Sequence, residues 1–536
     1  MKKKCKKLEI FLFILLVLQL LVIAVFNLTR LPYVAGFDSS AAMAQAMQIW
    51  KQRTIFLKDW AYQSTLGLDS GLLLASMIYG VTGNIFISYG LSNCVIIALY
   101  FYVIYEILKE INVSKTVRLI TLIILFTPYS LEPLGYMPML FTNASYYSIK
   151  VLIPFMFIFI FIKLYKERYL GEYIIISCIL GIMMYFTAFS CGLYVMICGV
   201  LPILFYEIYY VICSGNIQKI ISKRLIVYGV AFCLFALGYI TTKWYGQFNF
   251  TNGMQLCSVY DFGKNLGGFL IGWLQLFGAL YGRDLSVFSM EGIYSLVHWA
   301  LIIVFAGVVV RYLRTNSPLR KVYIGNNVSL RTHVLGACEF IILVNTGILL
   351  LTNITYGSDT FEFRYLLFSA VAIFIILAAG LDEYLGNMKH NKRKLLYNST
   401  WTLIIALMVM ANAGMIKYYE GFEHYDKGKA LKESLVDVEN IVDKKDVNYW
   451  YFVGDGEICE ISRVMRLSVK NVEIADGDNI YSVRGWGTKS NYEAAATTSK
   501  DMYLIVTEGD TNNIADIESI GAKYVESIAG FRIYVK

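Results

Sequence analysis

Long apolar runs alternate with short polar segments over most of the chain. An α-helix needs roughly 20 apolar residues to cross a bilayer, whereas a transmembrane β-barrel shows short segments of alternating hydrophobicity. The pattern therefore predicts a polytopic α-helical membrane protein. We expect about eleven spans, at residues 10–28, 86–108, 117–135, 149–166, 173–190, 192–212, 225–243, 292–311, 335–354, 365–383 and 398–416.

Lysine and arginine fall in every second connecting segment, which predicts the orientation of the spans. Residues 129–148, between two spans, contain no lysine or arginine. The basic segments are the N-terminus and residues 109–118, 163–172, 213–224, 311–331 and 384–396. Because basic loops stay in the cytoplasm, we expect a cytoplasmic N-terminus and an extracytoplasmic tail. The lysine-rich N-terminus and a retained first helix fit a bacterial plasma membrane. If the runs 173–190 and 192–212 were a single span, everything after them would invert.

Two segments on the expected outer side are too long to be simple connectors, namely residues 29–85 and 244–291. Each contains an apolar stretch that glycines interrupt, "SGLLLASMIYGVTG" and "FGKNLGGFLIGWLQLFGALYG". Counting either one alone as a span breaks the charge alternation. We expect re-entrant or surface-lying helices there.

The composition changes near residue 421, where charged residues become frequent. Runs such as "NYWYFV", "MYLIVT" and "FRIYV" have the pattern of strands, and "NIADIESIG" has that of a helix. We expect a transmembrane region over residues 1–417 and a small extracytoplasmic α/β domain over residues 418–536. The glycines of "GDG" and "DGD" form no phosphate-binding fingerprint and predict turns.

The composition excludes several functional classes. The chain is 57% hydrophobic and 16% charged, with a net charge of +8. The basic residues lie in short loops between spans, so we expect no nucleic-acid partner. The ten cysteines form no CxxC pair, and four histidines make a histidine-based metal centre improbable.

The stretch "GFDSSAAMAQAMQIWKQRTIFLKDW", residues 36–60, follows the first span. Alanine, methionine and glutamine favour a helix over residues 40–53, and Asp38 precedes it. One interpretation makes Asp38 or Ser39 the N-cap of that helix. The other makes Asp38 a catalytic carboxylate in an outer loop.

The layout after the first span resembles the GT-C superfamily, polytopic glycosyltransferases that use polyprenyl-phosphate sugars. The resemblance is carried by Asp38, the helix 40–53, Asp59-Trp60, Asp69-Ser70 and the apolar stretch Leu72–Gly80. Within the superfamily the chain looks most like bacterial relatives of the protein mannosyltransferases and aminoarabinose transferases. It departs from them in having Asp38-Ser39 where Asp-Glu is frequent, and Leu68-Asp69-Ser70 in place of Lys-Pro-Pro.

A second similarity lies in "DTFEFRYLLFS", residues 359–369, which places Arg364-Tyr365 before a late span. In these families a basic residue there meets the lipid phosphate. The alternative is that the long Arg364 side chain extends to the lipid headgroups and binds no donor phosphate.

The resemblance implies transfer of a hexosyl or pentosyl group to an outer acceptor, which is a cell-wall polymer, a lipid-linked glycan or a protein. Asp38 is the candidate base, and Asp59 either orients the acceptor or helps to hold a divalent metal; no other cofactor is expected. The candidate phosphate ligands are Arg364 and Tyr365, with Lys58 and Arg283 as weaker ones. The candidates for stacking on sugar are Trp60 and Trp486.

Two other functions fit the same layout. A transporter or flippase of lipid-linked saccharides would share the spans, although no internal repeat is evident. A non-catalytic envelope scaffold would need neither Asp38, Asp59 nor Arg364.

Overall fold

The computed structural model describes most of the membrane region and parts of the tail. The described residues are 2–57, 60–62, 66–68, 70–129, 136, 138–166, 170–190, 195–214, 223–245, 255–279, 286–324, 328–353, 363–386, 430, 433, 450–454, 459, 461, 464, 469–475, 479–482, 487–488 and 503–536.

Helices dominate residues 2–386. The α-helices there are α1 (Lys2–Thr29), α2 (Leu31–Val34), α3 (Phe37–Gln52), α4 (Leu72–Thr82), α5 (Ile85–Glu110), α6 (Lys115–Leu125), α7 (Ile149–Lys166), α8 (Leu170–Phe189), α9 (Leu201–Ser214), α10 (Lys223–Tyr245), α11 (Val259–Leu276), α12 (Met290–Asn316), α13 (Pro318–Tyr323), α14 (Leu330–Leu351) and α15 (Leu367–Gly386). π-Helical turns cover Pro138–Thr142, Ala144–Ser148 and Met196–Val200, and a 3₁₀ turn covers Phe363–Leu366.

Eight helical segments within the described residues are long and apolar enough to cross a membrane. They agree with eight of the expected spans. α10 lies where the span 225–243 was expected, although its described apolar part, Ile226–Thr242, is shorter. α6 begins as expected and ends at Leu125, so the described helix is only 11 residues long. The expected span 398–416 lies outside the described residues.

Ion pairs join the basic segments that the charge pattern assigned to one side of the membrane. Lys115 lies 4.0 Å from Glu9, and Arg331 lies 3.8 Å from Asp382. Lys166 pairs with Glu110. The backbone N–H of Ser114, just before α6, donates to Oδ1 of Asp382 in α15 at 3.0 Å. The start of α1, the end of α5, the start of α6 and the end of α15 therefore meet at one end of the bundle. The end of α1, the start of α3 and the start of α15 lie at the opposite end.

The two glycine-interrupted apolar stretches form helices α4 and α11, as expected. α11 is attached to the end of α14, because the amide of Asn265 donates to the carbonyls of Leu350 and Thr352, at 3.1 and 3.0 Å. Its other neighbour is the 3₁₀ turn Phe363–Leu366. α4 packs between α3 and α5.

The tail contains a six-stranded mixed sheet of β2 (Trp450–Val453), β3 (Val469–Ala475), β4 (Asn479–Ser482), β6 (Tyr503–Thr507), β7 (Lys523–Ile528) and β8 (Phe531–Val535), in the order β4-β3-β2-β6-β8-β7. β2 runs parallel to β3 and β6, and the other pairs are antiparallel. α16 (Thr511–Ser519) packs against the sheet. The fold class is therefore a helical membrane bundle with a small C-terminal sheet. The expected boundary at 417/418 lies outside the described residues.

Two edge strands, β4 and β7, were missed in the sequence. Much of β7 is exposed, so it lacks the apolar alternation on which the prediction depends. Gly454, the first glycine of "GDG", has a φ of +90°, which suits glycine. The other two residues of that predicted turn lie outside the described residues.

The tail contacts the membrane region near the first outer loop. β1 (Trp60–Ala61) pairs antiparallel with β5 (Gly487–Thr488), with Trp60 opposite Thr488 and Ala61 opposite Gly487. Ile461 and Val464 are buried in the same apolar core as the bundle helices.

Candidate functional site

Asp38 lies in the first turn of α3, which begins at Phe37, three residues earlier than the pattern predicted. The N-cap is Gly36, and no side chain caps this helix. Ser39 donates to the carbonyl of Gly36 at 3.0 Å instead of accepting a helix N–H. The N-cap interpretation of Asp38 and Ser39 is therefore wrong. The positive end of the helix dipole still favours a carboxylate at Asp38.

The carboxylate of Asp38 meets Tyr147 and Arg364, which come from two distant parts of the chain. The Tyr147 hydroxyl donates a hydrogen bond to Oδ2 of Asp38. Nη1 of Arg364 donates to the Tyr147 hydroxyl at 3.1 Å and lies 3.9 Å from Oδ2 of Asp38. The three side chains form one cluster, which we call the Asp38 triad.

The direction of the hydrogen bonds within the triad follows from chemistry. An arginine can only donate hydrogen bonds and a carboxylate can only accept them. The Tyr147 hydroxyl therefore accepts a hydrogen bond from Arg364 and donates one to Asp38. A hydroxyl that accepts one bond while donating another is polarised, which strengthens both bonds. Tyr147 therefore connects the cation to the anion.

The triad remains open to a ligand. The side chains of Asp38 and Arg364 are 27% and 25% exposed, so both are partly covered yet accessible. The contacts of Asp38 with Tyr147 and Arg364 both use Oδ2, and no described residue forms a hydrogen bond with Oδ1. Oδ1 is consequently available to accept a proton from a bound hydroxyl.

Two consecutive π turns place Tyr147. Ala144–Ser148 is the second, and it leads directly into α7. π turns are rare and occur often at functional sites, where the wider turn redirects side chains. The neighbouring Tyr146 packs edge-on against Tyr147 with ring centroids 4.8 Å apart, and the Lys150 ammonium lies 3.8 Å from the Tyr146 ring centroid.

A short 3₁₀ turn, Phe363–Leu366, holds Arg364 at the start of α15. The amide of Asn345 in α14 donates to the carbonyl of Tyr365 at 3.0 Å and to the hydroxyl of Ser369 at 2.9 Å. Asn345 is buried, so loss of these hydrogen bonds would leave unsatisfied polar groups and lower the stability of the fold. The Arg364 guanidinium lies 5.3 Å from the Tyr365 ring centroid. Arg364 and Tyr365 therefore share one anchored turn.

The described part of the site does not resemble a divalent-metal centre. A magnesium or calcium ion takes several oxygen ligands, preferably carboxylates. Asp38 is the carboxylate of the triad, and among the described residues its charged partner is the Arg364 cation, 3.9 Å away. No group of three or more His, Cys, Asp or Glu side chains lies together in the described chain.

The remaining predicted site residues are Trp60, Lys58, Asp59, Arg283 and Trp486, and the structure describes only Trp60 among them. Trp60 lies in β1 and is 5% exposed. Lys58, Asp59, Arg283 and Trp486 lie outside the described residues, so their roles stay predictions.

Tyr147 is the member of the triad that the sequence analysis did not single out as a site residue. Tyr146-Tyr147 fits an interfacial aromatic belt, so the sequence offers no reason to assign Tyr147 a specific role. A usable signal is the polar run "TNASYYS", residues 142–148, at the start of an apolar span. Polar side chains at the head of a membrane helix often mark function.

Comparisons with known proteins give a likeness only to solved structures. No protein-family model matches the chain, and no curated protein matches it. A crystal structure of ArnT from Cupriavidus metallidurans bound to undecaprenyl phosphate is 9% identical, with 98% of this chain and 97% of that chain covered and a TM-score of 0.48. The apo structure of the same protein is 10% identical at equal coverage, with a TM-score of 0.43. Neither likeness assigns a role to a residue of this chain.

Proposed function

We propose that this protein is a membrane glycosyltransferase that moves a sugar from a polyprenyl-phosphate donor to an extracytoplasmic acceptor. The observation that carries the proposal is the Asp38 triad, in which a carboxylate, a phenol and a guanidinium meet at the loop end of the bundle. A base and an anion-binding cation side by side are what transfer from a phosphate leaving group requires. The sequence resemblance to the GT-C superfamily points to the same chemistry.

The acceptor would be activated by Asp38. As an acceptor hydroxyl oxygen attacks the anomeric carbon of the sugar, its proton passes to Oδ1 of Asp38. Oδ2 stays hydrogen-bonded to Tyr147, which holds the carboxylate in one orientation. A general base of this kind contributes on the order of 10²- to 10⁴-fold in rate.

The leaving group would be stabilised by Arg364. The bond between the anomeric carbon and the phosphate oxygen breaks, and its electron pair leaves with polyprenyl phosphate. A guanidinium pairs with phosphate through parallel N–H donors and stabilises the negative charge that develops there. A single displacement of this kind inverts the anomeric configuration.

The site would face the outer side of a bacterial plasma membrane. The charge pattern predicts a cytoplasmic location for the end of the bundle where Lys115, Arg331 and Lys166 form ion pairs. The triad lies at the opposite end, where an isoprenoid chain can remain in the lipid while its phosphate reaches Arg364. The second carboxylate, Asp59, and the further cations, Lys58 and Arg283, belong to the same outer loops in sequence.

The test is sugar transfer by the purified protein in lipid nanodiscs. A panel of radiolabelled polyprenyl-phosphate hexoses and pentoses is supplied with envelope extract as the acceptor. The proposal expects label in the acceptor fraction and an equal amount of released polyprenyl phosphate. Movement of intact labelled donor across proteoliposomes, without transfer, would contradict the proposal and support a transporter. If neither transfer nor movement occurs with any donor, the glycosyltransferase proposal is abandoned.

A further inference from the structure

A buried polar network inside the bundle connects α5 to the π turns that place Tyr147. Tyr89, Ser92 and Asn93 follow the spacing i, i+3, i+4 on α5, so they lie on one face of that helix. All three are 0% exposed. Polar side chains buried in a membrane helix are costly unless they are satisfied, and they tend to serve function.

This face of α5 holds both π turns that place Tyr147. Nδ2 of Asn93 donates to the carbonyl of Thr142 at 2.8 Å, and Oδ1 of Asn93 accepts from the backbone N–H of Ser145 at 2.8 Å. The Tyr89 hydroxyl donates to Oδ1 of Asn143. Asn93 thus bonds the backbone on both sides of Asn143, where the first π turn ends and the second begins.

The network continues into α1 and the first outer loop. Nδ2 of Asn93 also donates to Oδ1 of Asn27 in α1 at 2.9 Å. The Ser145 and Ser92 hydroxyls lie 2.7 Å apart, and Ser92 donates to the carbonyl of Gly71 at 2.9 Å. The N–H of Gly71 donates to the carbonyl of Ser145 at 2.5 Å.

We propose that Asn93 is a positioning residue for the triad, which holds the π turns so that the Tyr147 hydroxyl meets Asp38. This inference rests on the proposed function for its consequence in catalysis. Tyr147 follows Ser145 by two residues, so a change at the Ser145 backbone moves the phenol directly. Asn93 acts on the chemistry only through that placement, because its amide bonds Asn27, Thr142 and Ser145 and not the triad.

Asn27 provides a matched control. It is an equally buried asparagine of the same network, but its amide bonds Asn93 and the carbonyl of Ile23 instead of the π turns. Replacing it removes a network hydrogen bond while both bonds from Asn93 to the π turns persist. A general loss of stability would therefore affect Asn27→Leu and Asn93→Leu alike, whereas loss of positioning would affect only the second.

The experiment places 3-fluorotyrosine at position 147 and records its ¹⁹F resonance in the nanodisc-embedded protein. Asp38→Asn calibrates the change that follows when the charged partner of the phenol is removed. The inference expects Asn93→Leu to shift the resonance and Asn27→Leu to leave it in place. If Asn93→Leu does not fold, Asn93→Asp serves instead, because it keeps the acceptor for Ser145 and loses the donor to Thr142. An unmoved resonance in the folded Asn93 variant, or equal shifts in both asparagine variants, would overturn the inference.

Kinetics supply the second measurement. Misplacement of a reacting group by about 1 Å can cost on the order of 100-fold in rate, so Asn93→Leu should lower kcat by about 10- to 100-fold. In a Tyr147→Phe background the same change should cost little more, because the hydroxyl that it misplaces is already absent. Additive effects of the two substitutions would contradict positioning through Tyr147. If the wild-type protein transfers no sugar, the proposed function fails, while the ¹⁹F comparison still decides the role of Asn93.

Discussion

The phenolic hydroxyl of Tyr147 donates a hydrogen bond to Asp38, which lies 109 residues earlier in the chain. This bond joins α3 to the π turn that precedes α7, and Arg364 completes the triad from the 3₁₀ turn before α15. Three segments that are far apart in sequence thus place a carboxylate, a phenol and a guanidinium in contact.

Tyr147→Phe keeps the ring and removes the hydroxyl. A hydrogen bond to a charged group contributes about 1.5–3 kcal/mol, which corresponds to roughly 10- to 150-fold in kcat/KM if the bond acts in the transition state. We expect a loss in that range with little change in thermal stability. Tyr146→Phe is the matched control, because it keeps the ring contacts with Tyr147 and Lys150. Equal losses in both variants would mean that the Tyr147 hydroxyl has no specific role.

Arg364→Lys keeps the positive charge but loses the planar set of donors. Lysine binds phosphate as a point charge, whereas arginine binds it through two parallel N–H groups. We expect the KM for the lipid donor to rise about tenfold or more, measured by initial rates over a range of donor concentrations. The control is Arg53→Lys, at the end of α3, where the guanidinium lies 3.5 Å from the Trp50 ring centroid. A KM that rises in both variants, or in neither, would argue against phosphate binding by Arg364.

The pairing of β1 with β5 predicts a specific cross-link between the tail and the first outer loop. Ala61 and Gly487 are direct partners in an antiparallel pair, where Cα atoms lie about 4.5–5.5 Å apart. That separation suits a disulfide, which spans roughly 4.4–6.8 Å between Cα atoms. The double variant Ala61→Cys with Gly487→Cys should therefore form a disulfide under mild oxidation, detected by mass spectrometry of the digested protein.

The control for that cross-link pairs Ala61→Cys with Asn479→Cys in β4, a strand that does not pair with β1. It should form little or no disulfide. Cross-linking of both pairs to the same extent would indicate non-specific collision, and absence of the Ala61–Gly487 link would contradict the pairing.

The length of the apolar runs predicted the bundle well because each membrane helix must satisfy its own backbone hydrogen bonds within one such run. The spans 86–108 and 335–354, for example, correspond to α5 and α14 within a few residues. α6 is shorter than expected, because the hydrophobicity of a run does not show at which residue its helix ends. Strand β7 was missed because its exposed edge position removes the apolar alternation.

The site was predicted only in part. Asp38 and Arg364 carry charges at the edges of apolar runs, where a charge stands out in the sequence. Tyr147 and Asn93 are not visible in this way, since a tyrosine at a membrane boundary and an asparagine in a span each have ordinary explanations. Their roles depend on two π turns and on the contact between α5 and α7, and these long-range features leave no local pattern.

The most direct test of the account compares wild-type protein with Asp38→Asn in the sugar-transfer assay, with the donor panel and envelope extract. Asparagine keeps the size of the side chain and can still accept the Tyr147 hydrogen bond, so the loop should stay folded. Asp261→Asn is the control, because Asp261 is also an acid in the first turn of an outer helix, α11, where it bonds Ser258. Transfer should fall by about 100-fold or more in Asp38→Asn and be retained in Asp261→Asn. Equal transfer by the wild type and Asp38→Asn would contradict the assignment of Asp38 as the catalytic base.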